Sequence, residues 1–211
     1  MNGRRANPPM PNTPTSTPTP DAEALLTRLR DQADTLFDKT LTRYRDAMTC
    51  RAGCFGCCQG GLTVSPLEAR DLAAALRALP APLSARLRDH LTAYAAATDD
   101  DTLAYCALLI DGQCAAYAAR PLICRTHGMP IRFTDDEGAA FLDICPLNFT
   151  DDPDLSSVTP DHILDLDHLN HTLALINHLA LPDAPREPLL DIALTALGLA
   201  PSPPNATGQS A

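Results

Sequence analysis

Apolar residues recur at three- and four-residue steps between residues 21 and 48, among them Leu26, Leu29, Ala33, Phe37, Leu41, Tyr44 and Met48. That period puts them on one face of a helix and predicts a helix across the whole stretch. A second helix is signalled by "SPLE", residues 65–68. Ser65 suits the cap, Pro66 the first turn, and Glu68 can reach back to close a capping box. It should run to about Leu79, before Pro80. Leu83, Leu87, Leu91 and Tyr94 mark a third helix, and Ile163 to Ala180 carry the stripe of a long fourth, over residues 161–180. A short helix is expected near 188–198.

The pattern changes over residues 103–145. Asp111-Gly112 lies between two short apolar runs, a hairpin signal, and "DDEG", residues 135–138, separates 129–134 from 139–144 in the same way. Residues 1–20 and 201–211 are rich in Pro and polar residues and lack periodicity, so both are expected to be disordered tails. The expectation is a mainly α fold: one helical domain over 21–200, with a central cysteine-rich loop and β-hairpin region for binding metal.

Composition agrees with helices. Hydrophobic residues make up 45%, largely Ala and Leu, while aromatics are 4% and Trp is absent. Ala and Leu favour helices, whereas strands draw on β-branched and aromatic residues. The formal net charge of −10 argues against nucleic acid or an anionic membrane as partner, since both reward clustered Lys and Arg. No stretch has the roughly 18 apolar residues of a membrane-spanning helix, and the start of the chain does not read as a secretory signal. A cytoplasmic setting, which keeps thiols reduced, is the resulting expectation. No protein partner can be read from the sequence.

The eight cysteines therefore need a purpose other than disulfides. They form two groups: Cys50, Cys54, Cys57 and Cys58, then the more open Cys106, Cys114, Cys124 and Cys145. Short spacings let one loop aim successive sulfurs at a metal, and a loop holding Gly53, Gly56, Gly60 and Gly61 has no core-packing role for four cysteines. Soft thiolates select zinc, iron–sulfur clusters or copper(I). Adjacent side chains diverge, so Cys57 and Cys58 cannot easily complete one small site together. Eight sulfurs and a divergent pair favour at least two metal ions, though one polynuclear cluster is an alternative.

Arg51, Arg120 and Arg125 lie beside cysteines and could offset thiolate charge; Tyr117 could pack on the site. His127 completes a Cys-x2-His spacing with Cys124, but with eight cysteines at hand a role outside the ligand set is expected. His162, His168, His171 and His178 read as solvated histidines on a helix flank. The sequons at Asn148 and Asn205 read as chance matches. No phosphate loop, dinucleotide fingerprint or serine-hydrolase elbow is present.

With "CRAGCFGCC" followed by "CAAYAARPLICR" and a last cysteine, the chain resembles the bacterial YkgJ-type cysteine-cluster proteins, known as zinc- or iron-chelating domains. Cys114, Tyr117, Arg120, Pro121, Cys124 and Arg125 keep the pattern. Ala116 replaces the usual Ile, and one extra residue separates Cys50 from Cys54. Over the motif core, residues 50–146, the resemblance implies that all eight cysteines chelate zinc or iron, the latter in an iron–sulfur cluster. A related domain in flagellin lysine methylases raises an iron–sulfur enzyme of redox or group-transfer chemistry as an alternative. A metal storage or transfer protein is another.

Overall fold

The computed structural model describes residues 20–199; both expected tails lie outside this range, apart from Pro20. Among the described residues the chain is mainly helical, with small sheets of two or three strands.

Helix α1 spans Pro20–Arg43, shorter than its apolar stripe. Tyr44 and Met48 continue that stripe in a turn and are buried, but they face a separate cluster with Phe149, Leu155 and Val158. Short β1 (Thr63–Val64) leads into α2 (Pro66–Arg77). Ser65 and Pro66 sit at the start as expected, yet the capping box does not form. Instead the Ser65 hydroxyl donates to Glu68 at 2.7 Å, and the other carboxylate oxygen of Glu68 accepts the backbone N–H of Leu122, also at 2.7 Å. Glu68 is 2% exposed. A buried carboxylate must find donors, and here one is local, Ser65, and the other comes from a distant part of the chain, Leu122.

Helix α3 (Ala81–Ala96) and the single-turn α4 (Asp100–Leu103) follow. Asp99 caps α4 by accepting from the Thr102 N–H at 2.7 Å. Strands β2 (Leu109–Ile110) and β3 (Gln113–Cys114) form the hairpin expected at Asp111-Gly112. Helix α5 (Leu122–Thr126) precedes a second hairpin, β4 (Ile131–Thr134) with β5 (Ala140–Asp143), turning at Gly138 with φ +85°.

The long C-terminal helix starts later than the periodicity suggests. A 3-10 turn at Pro160–His162 leads to β6 (Leu164–Asp165), which pairs parallel to β4, and α6 runs from Leu166 to Ala180. Asp165 caps it by accepting from the His168 N–H at 3.0 Å. His162 consequently lies off the helix and is buried beside Thr40 and the Tyr44 ring, contrary to the solvated position expected. His168, His171 and His178 are exposed as anticipated. Strand β7 (Glu187–Pro188) pairs with β1 and opens into α7 (Leu189–Ala196).

Two larger apolar clusters flank the cysteines. One joins α2, α3 and α7 through Leu72, Leu76, Leu87, Leu91, Ile192 and Leu194. The other joins α1 and α6 through Leu26, Leu29, Leu169 and Leu173, with Leu122 of α5 and Leu67 of α2. Burying a Leu contributes about 1.5–3 kcal/mol, so these clusters rather than the short strands hold the elements in place.

Candidate metal centre

The first cysteine run follows α1 as two successive tight turns. The Cys54 N–H donates to the Arg51 carbonyl at 3.0 Å, and the Cys58 N–H to the Phe55 carbonyl at 2.8 Å. Gly53 supplies a φ of +85° within the first of them. The run then docks on the segment after α4: the Gly60 N–H donates to Ala104 and the Cys106 N–H to Cys58, at 2.9 and 2.8 Å. A Cβ on Gly60 would lie 2.0 Å from the Leu103 carbonyl oxygen, so only glycine allows this approach.

All eight cysteines are free thiols of intermediate exposure. Of the cysteine-rich loop and hairpin region expected, the loop part is seen: only Cys114 lies in a strand and Cys124 in a helix, and the rest are in loops and turns. Their mutual effects follow the fold. Burial pushes Cys50 up, and the Cys54 and Cys145 thiols add to that. Cys57 is pushed to about 11 by burial, then by Cys58, Cys145 and Cys54. Burial also raises Cys106 to about 11 and Cys124 to about 12, with Cys114 and Cys58 acting on both. Cys114 is raised by burial and by Cys58.

The influences fall into two sets: Cys54 and Cys145 act on both Cys50 and Cys57, whereas Cys114 and Cys58 act on both Cys106 and Cys124. Burial raises Cys58 and a hydrogen bond from the Cys57 thiol lowers it, where the two sets touch. Cys54 also acts on Cys58, and Cys57 on Cys124. Among the described residues no group of three or more His, Cys, Asp or Glu side chains is arranged to hold a metal ion.

The donor set nonetheless suits a soft metal. Beyond the thiols themselves, the Asn148 amide donates to the Cys50 sulfur at 3.3 Å, and the backbone at Leu108 and Ala116 pulls the Cys106 and Cys114 thiols down against burial. N–H donors aimed at sulfur favour the anionic form that a metal requires.

The cationic surroundings are narrower than the sequence suggests. Arg120 lowers Cys114. Arg125 and Arg120 both pair with Asp34 of α1, the latter at 3.5 Å, and Arg125 also donates to the carbonyls of Arg120 and Ala118 at 2.9 and 2.8 Å. These bonds fasten the loop before Cys124 to α1. Arg51 is exposed. Tyr117 is 64% exposed, not packed inward, and lies beneath the Arg120 guanidinium at 4.1 Å. His127 is half-buried, and burial lowers its pKa.

Sequence reasoning missed Asn148, Gly128 and Asp34, and misassigned the partner of Glu68. Asn148 stands in a glycosylation sequon but is 2% exposed with its side chain engaged, which agrees with reading the sequon as chance. Each of these residues acts across a long sequence separation, so no local spacing marks it. Among the described residues no helix is long and apolar enough to cross a membrane.

Searches among curated proteins and among solved structures return no match. Residues 49–146 match the family model CxxCxxCC, described as "Putative zinc- or iron-chelating domain". All eight cysteines fall within that span, so the cysteine-bearing part of the chain is similar to the CxxCxxCC family.

Proposed function

We propose that this is a cytoplasmic metal-binding protein whose eight cysteines chelate at least two metal ions, as zinc or in iron–sulfur form. Cys50, Cys54, Cys57 and Cys145 would serve one ion, and Cys58, Cys106, Cys114 and Cys124 the other. The observation that carries this reading is the match of residues 49–146, which hold all eight cysteines, to a zinc- or iron-chelating domain. The adjacent Cys57 and Cys58 would serve as a fork between the two ions, their thiols parting from the hydrogen bond that now joins them. Ligation would require the cysteine side chains to turn toward a common centre, which their intermediate exposure leaves room for.

Residues 21–200 are read as one domain around this centre, because α2 contributes Leu67 to one large cluster and Leu72 to the other. Binding of structural zinc is worth about 10–16 kcal/mol, comparable with the about 5–15 kcal/mol net stability of a whole domain. Metal is thus expected to hold the loops between the two clusters.

Anaerobic purification followed by metal and acid-labile sulfide analysis, with visible and electron paramagnetic resonance spectra, tests the reading. About two zinc ions per colourless chain supports the zinc form. Iron with matching sulfide supports the iron–sulfur form. A chain that retains no metal and takes up neither would overturn both.

A further inference from the structure

Asn148 spends every polar atom of its side chain around the first cysteine. Its Oδ1 accepts from the Thr49 backbone N–H at 2.8 Å and from the Thr49 hydroxyl at 3.0 Å. Its Nδ2 donates to the Gly128 carbonyl at 2.8 Å and to the Cys50 sulfur at 3.3 Å. The amide cannot be turned the other way: a backbone N–H only donates and a carbonyl only accepts, so the oxygen must face Thr49 and the nitrogen Gly128. Gly128 provides an independent sign of the same arrangement. A Cβ there would lie 2.5 Å from the Cys50 sulfur, and the residue holds φ at +90°. Glycine leaves room for the sulfur where any side chain would intrude.

Cys50 also stands outside the two tight turns that position Cys54, Cys57 and Cys58, behind the one irregular spacing of the run. Something other than the turns must place it. The backbone N–H of Asn148 in turn donates to the Cys145 carbonyl at 2.8 Å, so one residue is bonded to both Cys50 and Cys145.

We propose that Asn148 is a positioning residue for metal ligation by Cys50, its Nδ2–H holding the sulfur beside Gly128. This rests on the reading that Cys50 is a metal ligand. A hydrogen bond to an ionised sulfur is roughly twice as strong as one to a neutral group, so the contact strengthens when a metal displaces the proton. Partners of this kind typically change metal affinity about 10–100-fold when removed.

The direct test needs no substitution. The full chain is loaded anaerobically with NMR-active cadmium(II), and scalar correlations between cadmium and nearby N–H protons are recorded. A correlation from an Asn148 Nδ2 proton, transmitted through the Cys50 sulfur, is the expected result. Correlations from the Leu108 and Ala116 N–H groups to a cadmium without one from Asn148 would overturn the proposal while leaving metal binding intact. Failure of the chain to bind cadmium would instead overturn the metal reading on which the proposal depends.

Cobalt(II) titrations add the energetic side. Asn148→Ala is expected to weaken one cobalt equivalent about 10–100-fold and to shift its thiolate charge-transfer band. In a Cys50→Ser background the same change should have little further effect, since coupled residues are not additive. Independent, multiplying effects would mark Asn148 as merely structural and overturn the proposal. Asn148→Asp keeps the size and the Thr49 contacts but sets a carboxylate oxygen against the sulfur, and carries the same comparison should the alanine variant not fold.

Discussion

The backbone N–H of Cys106 donates to the carbonyl oxygen of Cys58 at 2.8 Å, joining the two halves of the cysteine constellation through the main chain. Gln59 and Tyr105 extend this contact as a bridge, and Gly60 permits it. The backbones of the first run and the second are thereby held together without any side chain having to bridge them.

Gly60→Ala should break that junction. Its new Cβ would meet a backbone oxygen at 2.0 Å, and backbone cannot give way as a flexible side chain can. A destabilisation of about 1–3 kcal/mol is expected, the usual cost of overpacking. Urea denaturation measures it, and the Cys106 amide should lose its protection from hydrogen exchange. An unchanged midpoint would show that the contact contributes nothing.

Glu68 positions α5 and with it Cys124. Glu68→Ala leaves the buried Leu122 N–H without its acceptor, at a cost of about 1–3 kcal/mol. Glu68→Gln keeps an acceptor oxygen and should lose less. Equal losses in the two variants would indicate that packing rather than the hydrogen bond is what matters.

Asp34→Ala should detach the loop carrying Arg120 and Arg125 from α1. The side chains of both arginines are largely buried, at 16% and 11% exposure, and hydrogen bonds to charged groups are worth about 1.5–3 kcal/mol. A loss of that size is expected in thermal or urea unfolding. Proteolysis near residues 117–125 should become faster; cleavage at the original rate would count against the tether.

Acid and base should act oppositely on the two forms of the protein. Burial holds Cys57 and Cys106 at about 11 and Cys124 at about 12, above the ordinary thiol value of 9.0. Their folded pKa values are raised, so the folded metal-free chain binds these protons more tightly than the unfolded chain. That contribution is complete below pH 9.0 and disappears as pH climbs through about 11 to 12. Metal binding must displace the same protons, so its apparent affinity rises with pH and falls in acid. Urea midpoints of the reduced metal-free chain and zinc competition titrations, each across pH, check the two signs. A zinc affinity independent of pH between neutrality and mild acid would contradict the second.

Removing the metal should loosen residues 50–145 more than the helical clusters. Hydrogen exchange is expected to accelerate there while Leu26, Leu72 and Leu91 stay protected within the buried clusters. Identical exchange with and without metal would rule out a structural role for it.

Much of this was legible in the chain. The helical stripes, both hairpin turns and the family motif rest on neighbours a few residues apart, where periodicity and turn chemistry operate. Errors came where a distant partner intervened. The apolar stripe of α1 carries on through Tyr44 and Met48, but those residues turn away to pack on Phe149. The helical pattern before Leu166 gives way to a strand because β4 offers a parallel edge. Glu68 abandons its local cap for Leu122 because the carboxylate is buried and needs a second donor.

By itself the sequence determined the mainly helical character, the eight soft donors and the adjacency of Cys57 and Cys58, since these follow from residue types and covalent spacing. Only the tertiary structure decided which thiols act on one another and what secures them: Asn148 and Gly128 for Cys50, Gly60 for the junction with Cys106, Glu68 and Asp34 for the approach to Cys124. Those contacts join residues far apart in sequence, and they arise only once burial forces each polar group to find a partner in space.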